Sequence, residues 1–287
     1  MLSQLYGNFC TEQKLPFSIN DSILSPDHTA FFCTSGMHHF KNQFSDLNYK
    51  NTFSNIQSCL RLNDLDEIGD GTHYLVFHML GLFSFREWSI PKTIDFWMSF
   101  LESIELLPHH VTIHPDKYKN WKAFYSNYNV DIQEDPECIW SDGSIGGYCT
   151  EFYRDNVEIG NIVNTLGTCV DVGFGGERIL QLKGFLEPSS KNDILIETIE
   201  SMLKDNIQLS NNQHGYVLKK LITQLINSRG FLEHPFYHQI YNQQKDKWIF
   251  YLKNKDKIKF HSKNKSWWLD THGVNIDHSD IIDFFNL

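Results

Sequence analysis

The 287-residue sequence has no apolar run near the roughly 20 residues that a membrane-spanning helix needs, so it predicts no bilayer span. Its N-terminus, "MLSQLYGNFCTEQKLPF", lacks the basic start and apolar core of a secretory signal. Cysteine is sparse and scattered: Cys10, Cys33, Cys59, Cys138, Cys149 and Cys169 include no C-x-x-C pair. That spacing supports neither a zinc site nor a disulfide framework, and reduced thiols in a cytoplasm fit it best. An excess of positive charge is also missing. The net charge of −10 argues against indiscriminate nucleic-acid binding. There is no internal repeat and no low-complexity segment. What is present, 41% apolar and 21% charged residues, suits a globular protein of one large domain or two modest ones.

Up to about residue 90, short strand-like runs ("TAFFCTSG", "YLVFHML") alternate with polar turns. "KTIDFWMSFLESIELL" places Ile94, Trp97, Met98, Leu101 and Ile104 at helical spacing. "VTIH" reads as a strand and "DKYKNWKAFYSNY" as a helix. Between Glu137 and Asp171, the β-like segments "CIW", "TEFYRD", "VEIGNIV" and "TCVDVG" follow one another between turns. After Gly175 the chain turns helical, with "DILIETIESMLKDN", "YVLKKLITQLINS" and "SDIIDFFNL". Strands dominate the middle and helices the end, which predicts an α+β fold rather than alternating βαβ units. The turn residues of "LEPSSK" place a boundary near Leu186–Lys191, giving domains 1–188 and 189–287. Net acidity hides one basic stretch. Lys245 to Lys265 holds eight lysines against Asp246 and Asp256, with aromatics between, and reads as a β-hairpin with a basic face. Two uses fit that face: an edge blunted by lysines, or a surface turned toward RNA.

"VDVGFGGERIL", Val170 to Leu180, packs three glycines, an acid and an arginine between apolar flanks. A P-loop needs Gly-Lys-Ser/Thr after its glycines, and a Rossmann fingerprint needs a third glycine where Arg178 stands. By itself the stretch is a glycine turn that opens a helix. The histidines His38, His39, His109, His110 and His114 lack any pattern such as H-E-x-x-H, and read as polar surface or caps rather than metal ligands.

Four stretches, in order and at the expected distances, resemble the catalytic core of the class II alanyl-tRNA synthetase family. They are "LSPDHTAFFCTSGMHHFKNQF" (Leu24 to Phe44), "QSCLRLNDLDEIG…HMLGLFSF" (Gln57 to Phe85), "IWSDGSIGGYCTEFYRDNVEIGNIV" (Ile139 to Val163) and "VDVGFGGER". Further on, "LSNNQHGYVLKKLI" is similar to the family's P-S-N-E-x-R-G-Y-V-L-R-R helix, and "WWLDTHGVNIDHSDII" to its Y-D-T-Y-G-F-P-x-D-L-T segment. The resemblance implies a class II antiparallel sheet flanked by helices (1–188), an adenylation domain. A smaller, mostly helical acceptor-stem domain with the hairpin follows (189–287). The resemblance implies a minimal synthetase, or a paralogue without editing and C-terminal domains.

The implied chemistry is attack by an amino-acid carboxylate on the α-phosphorus of ATP, with Mg2+, giving an aminoacyl-adenylate and pyrophosphate. Both reactants are anionic, so the work is charge neutralisation and alignment. The resemblance assigns catalysis to Arg61 and Arg178. Arg61, after the strand "QSCL", holds the carboxylate and α-phosphate; Arg178 lies on one adenine face and reaches the γ-phosphate. Phe77 covers the other adenine face, Gly175 lies against the nucleotide, and Glu158 is the magnesium carboxylate. Trp140 and Val163 wall a small side-chain pocket suited to alanine. Asn161 adds a polar contact there, Gly173 allows close approach, and Asp171 pairs with the ammonium group. Asn211 and Asp270 match the positions that read the G·U pair of the tRNA acceptor stem, and Lys219 and Lys220 offer phosphate contacts.

Departures from the family pattern open a second reading. Only Leu62 stands between Arg61 and Asn63-Asp64-Leu65, where the family carries roughly A-G-G-K-H. His78 replaces a glutamate. Gly160 replaces a tryptophan, which implies a larger or looser amino-acid pocket. The shortened loop and Gly160 favour a paralogue that activates an amino acid for a small molecule or carrier protein instead of tRNA.

Overall fold

The computed structural model describes residues 1–26, 30–141, 143, 145–255, 265–278 and 281–287. The chain divides into two compact units, Met1–Ser189 and Ser190–Leu287.

Unit 1 is built on one sheet of nine strands: β1 Phe17–Asn20, β2 Asn51–Leu60, β3 Val76–Phe85, β4 His110–Ile113, β5 Asp131–Glu134, β6 Ile139–Ser141, β7 Gly146–Arg154, β8 Val157–Thr165 and β9 Cys169–Gly175. Their spatial order is β1-β2-β3-β9-β8-β7-β4-β5, with β6 paired to β7. The sheet is mixed rather than wholly antiparallel, because β1–β2 and β4–β5 run parallel. The central strands pair antiparallel. Helices α1 Leu2–Glu12, α2 Lys41–Ser45, α3 Ile90–Ser103, α4 Pro115–Trp121 and α5 Gly176–Leu182 complete the unit.

Period-2 alternation decides what each strand gives to either face. Leu80 and Leu82 of β3, Phe152 of β7, Ile162 of β8, and Val172 and Phe174 of β9 are all buried in one core with α1 and α3. The apolar stripe read from the sequence of α3 is the stripe that packs there; Ile94, Trp97, Met98 and Leu101 are buried. Trp97 stacks on Phe174, with centroids 4.0 Å apart and planes at 7°, and on Tyr6 of α1 at 5.2 Å. The Tyr6 hydroxyl donates to the Gly81 carbonyl oxygen at 2.9 Å, which ties α1 to β3. The opposite residues of the same strands are left for the other face.

Two local readings need correction. "TAFFCTSG" forms no extended strand among its described residues: Phe32 makes one isolated bridge to Leu24, and Gly36–His39 is a 3-10 turn. His38 is buried rather than on the surface, with ring nitrogens 3.3 Å from Ser25 Oγ and 3.1 Å from Thr34 Oγ1. His114 does cap a helix, its Nδ1 accepting from the Asp116 N–H at 3.1 Å.

Unit 2 contains α6 Lys191–Lys204, α7 Gln213–Asn227, α8 Pro235–Asn254, α9 Lys265–His272 and α10 Ile281–Phe284. A capping box starts α6, with Ser190 and Asp193 exchanging side-chain and backbone hydrogen bonds. α6 and α7 pack through Leu195, Ile199, Met202, Leu218, Leu221 and Leu225, all buried. The expected hairpin is overturned: residues 245–254 are the C-terminal half of α8. Burial there follows the helical period, with Tyr237, Ile240 and Trp248 buried, whereas Phe250, on Trp248's side of a strand, is 44% exposed. Pro235 at the helix start and the His234 ring accepting from the Phe236 N–H were the overlooked start signals. Residues 256–264 of the basic stretch lie outside the described residues. Among the described residues, no helix is long and apolar enough to cross a membrane.

Candidate active site

On the sheet face away from α3 lies a cleft with about 860 Å³ of space between its walls, part of it open to solvent. Arg61, Phe77, Trp140, Glu158, Asn161, Val163, Asp171, Gly173, Gly175 and Arg178 all line it. Strand parity explains most of this convergence. Asp171, Gly173 and Gly175 alternate along β9 with the core residues Val170, Val172 and Phe174. Asn161 and Val163 do the same on β8, and Phe77 precedes Met79 on the same face of β3.

Glu158 breaks the alternation, being three residues from Asn161. The register supplies the reason: Phe152 pairs with Gly160 but Tyr153 with Glu158, so Ile159 is an extra, bulged residue. Ile159 turns into the core and Glu158 into the cleft. There the Arg178 Nη1 donates to the Glu158 carbonyl oxygen at 2.7 Å and approaches its Oε2 at 3.3 Å. A Cβ at 175 would stand 3.4 Å from Arg178 Cδ, an ordinary contact, so the arginine's place does not depend on glycine there.

Arg61 follows the last residue of β2. Its Nε donates to the Thr34 carbonyl oxygen at 2.9 Å, and its guanidinium lies 4.9 Å from the Phe77 ring centroid. A cation over an aromatic face is a favourable contact. Asp171, buried between β3 and β8, sits opposite Phe83 and Val163. Trp140 is half-buried against Val163, Cys138 and Cys149.

Some cleft residues escaped the sequence reading. Glu177, in the first turn of α5, accepts from the His78 N–H at 2.8 Å and holds the His78 Nδ1 at 2.7 Å. The histidine that replaces a glutamate thus has its own carboxylate partner. His73 lies between two carboxylates, with Nδ1 2.6 Å from Asp70 Oδ2 and Nε2 3.2 Å from Glu67 Oε2. Slight burial pushes the Asp70 carboxyl up, but hydrogen bonds from the Thr72 and His73 N–H groups, the His73 ring and the Thr72 hydroxyl together hold it well below the usual carboxylate range. The spacing "DGTH" was the available signal.

Gly160 needs a correction. A Cβ there would overlap the Phe174 ring and stand 2.6 Å from the Gly173 carbonyl oxygen. The side-chain direction at 160 is into the core, where Trp97 and Phe174 are already stacked, so a tryptophan at 160 would not point into the cleft.

In unit 2, Lys219 on α7 donates to Asn211 Oδ1 at 3.2 Å, and Lys220 is exposed with its Nζ 4.9 Å from the Tyr216 ring. Asp270 is exposed on α9. Lys247 of α8 lies near both segments. Its Nζ is 2.9 Å from where a Cβ on Gly273 would stand, and burial first, then the Lys219 charge, pushes its ammonium pKa down.

The family model described as tRNA synthetases class II (A) matches residues 9–144. The matched stretch is just under half of the chain, and over most of its length the chain is similar to alanine–tRNA ligases. It is 27% identical to the alanine–tRNA ligase of Buchnera aphidicola subsp. Baizongia pistaciae over 78% of this chain and 35% of that one. The Tropheryma whipplei (strain Twist) alanine–tRNA ligase is 25% identical over 80% and 34%. The chain thus spans about a third of the length of these relatives. Among solved structures, the apo S. aureus histidyl-tRNA synthetase aligns with a TM-score of 0.41 at 12% identity, covering 78% of this chain and 81% of that one.

Proposed function

We propose that unit 1 activates a small amino acid, alanine in preference, with ATP, and that the product is transferred to the 3′ end of tRNA(Ala). The observation that carries this is the convergence of two arginines, an aromatic ring and a buried aspartate in one cleft. Asp171 pairs with the ammonium group of the amino acid, while Trp140, Val163 and Asn161 bound its side chain and Gly173 allows the backbone to come close. Arg61 leaves the Phe77 ring as the adenine takes that face, and its fork of donors spans the carboxylate and the α-phosphate. A carboxylate oxygen forms the new bond to the α-phosphorus, the bridging α–β P–O bond breaks, and pyrophosphate leaves. Arg178, positioned by Glu158, lies across the adenine near Gly175 and meets the γ-phosphate.

The donor set suits magnesium, a hard cation that prefers carboxylate oxygens. Glu158 would hold the ion through its carboxylate while its carbonyl oxygen accepts from Arg178. Bound there, it supplies charge neutralisation for the triphosphate. In unit 2, Asn211 and Asp270 read the acceptor-stem G·U pair and Lys219 and Lys220 hold phosphates, in a cytoplasmic enzyme.

The test of activation is ATP–pyrophosphate exchange. With magnesium present, exchange should depend on added amino acid and favour alanine over glycine and serine. No exchange with any small amino acid by the folded chain would remove the reading.

The turn Asn63–Asp66 begins almost directly after Arg61, so the loop between them is minimal. That favours the second acceptor class, a small molecule or carrier protein. An RNA hairpin bearing the G·U pair separates the two. A tRNA enzyme should charge it nearly as well as whole tRNA, and a G·C replacement should cost about 1–3 kcal/mol, by analogy with base-edge readout in DNA. Asn211→Ala or Asp270→Ala should blunt that discrimination. Lys247→Ala should weaken binding to both RNAs alike and reduce the salt dependence. Strong exchange with no transfer to either RNA would favour the second class.

A further inference from the structure

Two of the scattered cysteines meet in the fold. β6 and β7 run antiparallel with Ile139 opposite Tyr148, so the next pair outward sets Cys138 opposite Cys149. The Cys149 N–H donates to the Cys138 carbonyl oxygen at 2.9 Å. Glu151 is two residues beyond Cys149 on the same face of β7. The two Sγ atoms and a Glu151 carboxylate oxygen all lie within 4.8 Å of one another. Both thiols are buried and Glu151 is half-buried, so the cluster is screened from bulk water.

We propose that Cys138, Cys149 and Glu151 bind a zinc ion. Two sulfurs and one carboxylate oxygen are a zinc set, whereas magnesium and calcium select oxygen alone. Tetrahedral zinc with Zn–S bonds of about 2.3 Å places two sulfurs roughly 3.8 Å apart, so ligands already gathered this closely need only small side-chain rotations. Outer support is in place: the Tyr153 hydroxyl donates to Glu151 Oε2 at 2.8 Å, leaving Oε1 turned toward Cys149. The Thr112 hydroxyl, 2.9 Å from Cys138 Sγ, can hydrogen-bond that sulfur, and a water would complete the tetrahedron. Binding releases one proton from each thiol and makes the site Zn2+ with two thiolates and one carboxylate.

The position gives the ion a task. β6 is only three residues long, carries Trp140 and is held through β7 alone. Zinc joining Cys138 to β7 fixes that short strand, and with it one wall of the cleft. Across the β7–β8 register, Cys149 faces Val163 and Glu151 faces Asn161, both cleft residues. The same two thiols could instead close a cross-strand disulfide, which would consume both sulfur ligands.

The test uses the whole chain, reduced, stripped with chelator and then equilibrated with zinc alone or cobalt(II) alone. Elemental analysis should find about one zinc per chain, and the cobalt form should show the sulfur-to-metal charge-transfer band of a tetrahedral thiolate site. Cys138→Ser and Cys149→Ser should abolish that band, Glu151→Gln should weaken zinc binding about tenfold or more, and Cys33→Ser should leave both unchanged. If a serine variant fails to fold, the wild-type cobalt spectrum decides. A folded wild-type chain without the band and without stoichiometric zinc overturns the proposal, as does a Cys138–Cys149 disulfide in freshly purified protein. These readouts are metal content and spectrum, so they are separate from the fate of the exchange assay.

Discussion

Arg61→Ala and Arg178→Ala are each expected to slow alanine-dependent ATP–pyrophosphate exchange by about 10²-fold or more, because each removes preorganised positive charge from an anionic transition state. Their signatures should differ. Arg61 meets the Phe77 ring and a backbone carbonyl and, among the described residues, forms no ion pair with a carboxylate, so its removal leaves the ring free for the nucleotide. The loss should fall on the rate and little on ATP affinity. Arg178 is the ion-pair partner of Glu158, so its removal leaves that carboxylate facing the incoming triphosphate. ATP affinity and rate should then fall together. Arg61→Lys should recover only part of the rate, since an ammonium cannot span two acceptors as a planar fork does. Initial rates against ATP concentration, with thermal unfolding as a control for folding, check all three. Exchange by Arg61→Ala within about threefold of wild type would take that residue out of the chemistry.

The second large effect falls on folding. Gly160→Trp is expected to yield no stably folded unit 1, and Gly160→Ala to destabilise it by about 1–3 kcal/mol, the usual cost of overpacking. Removing a strand glycine normally stabilises, because glycine loses more conformational freedom on folding. Here sterics set the sign. A Cβ at 160 meets a backbone oxygen and the ring that stacks on Trp97, and neither can withdraw without opening the core. A Tm lowered by several degrees in Gly160→Ala, with alanine preference intact, is the expected result. A folded Gly160→Trp with a tightened amino-acid preference would show that residue 160 points into the cleft after all.

The cleft residues were legible in the sequence through the four stretches that resemble class II synthetases, and alternation along β8 and β9 accounts for Asn161, Val163, Asp171, Gly173 and Gly175 sharing one face. In "VDVGFG" every second position is a large apolar residue, so Asp171, Gly173 and Gly175 must share the other face. α3 was equally plain, since its apolar stripe has one period and one core to fill. The hairpin reading failed because lysines and aromatics in "KDKWIFYLKNK" suit either period, and only the partners that bury Trp248 and expose Phe250 select the helix. Gly160 was misread for a related reason. A glycine shows no side-chain direction in sequence, and the bulge at Ile159 shifts the parity upstream of it.

Local periodicity and residue chemistry were enough to read the α+β class, the motif-bearing strands and the candidate charge-neutralising residues from the sequence. Tertiary structure alone decided how those pieces meet. The β7–β8 bulge turned Glu158 toward Arg178, the α5 helix start brought Glu177 to His78, and β6–β7 pairing set Cys138 against Cys149 across ten intervening residues. Each of these depends on strand register and chain crossing, which are fixed by the packing of the whole sheet against α1 and α3 and leave no mark at any one position of the chain.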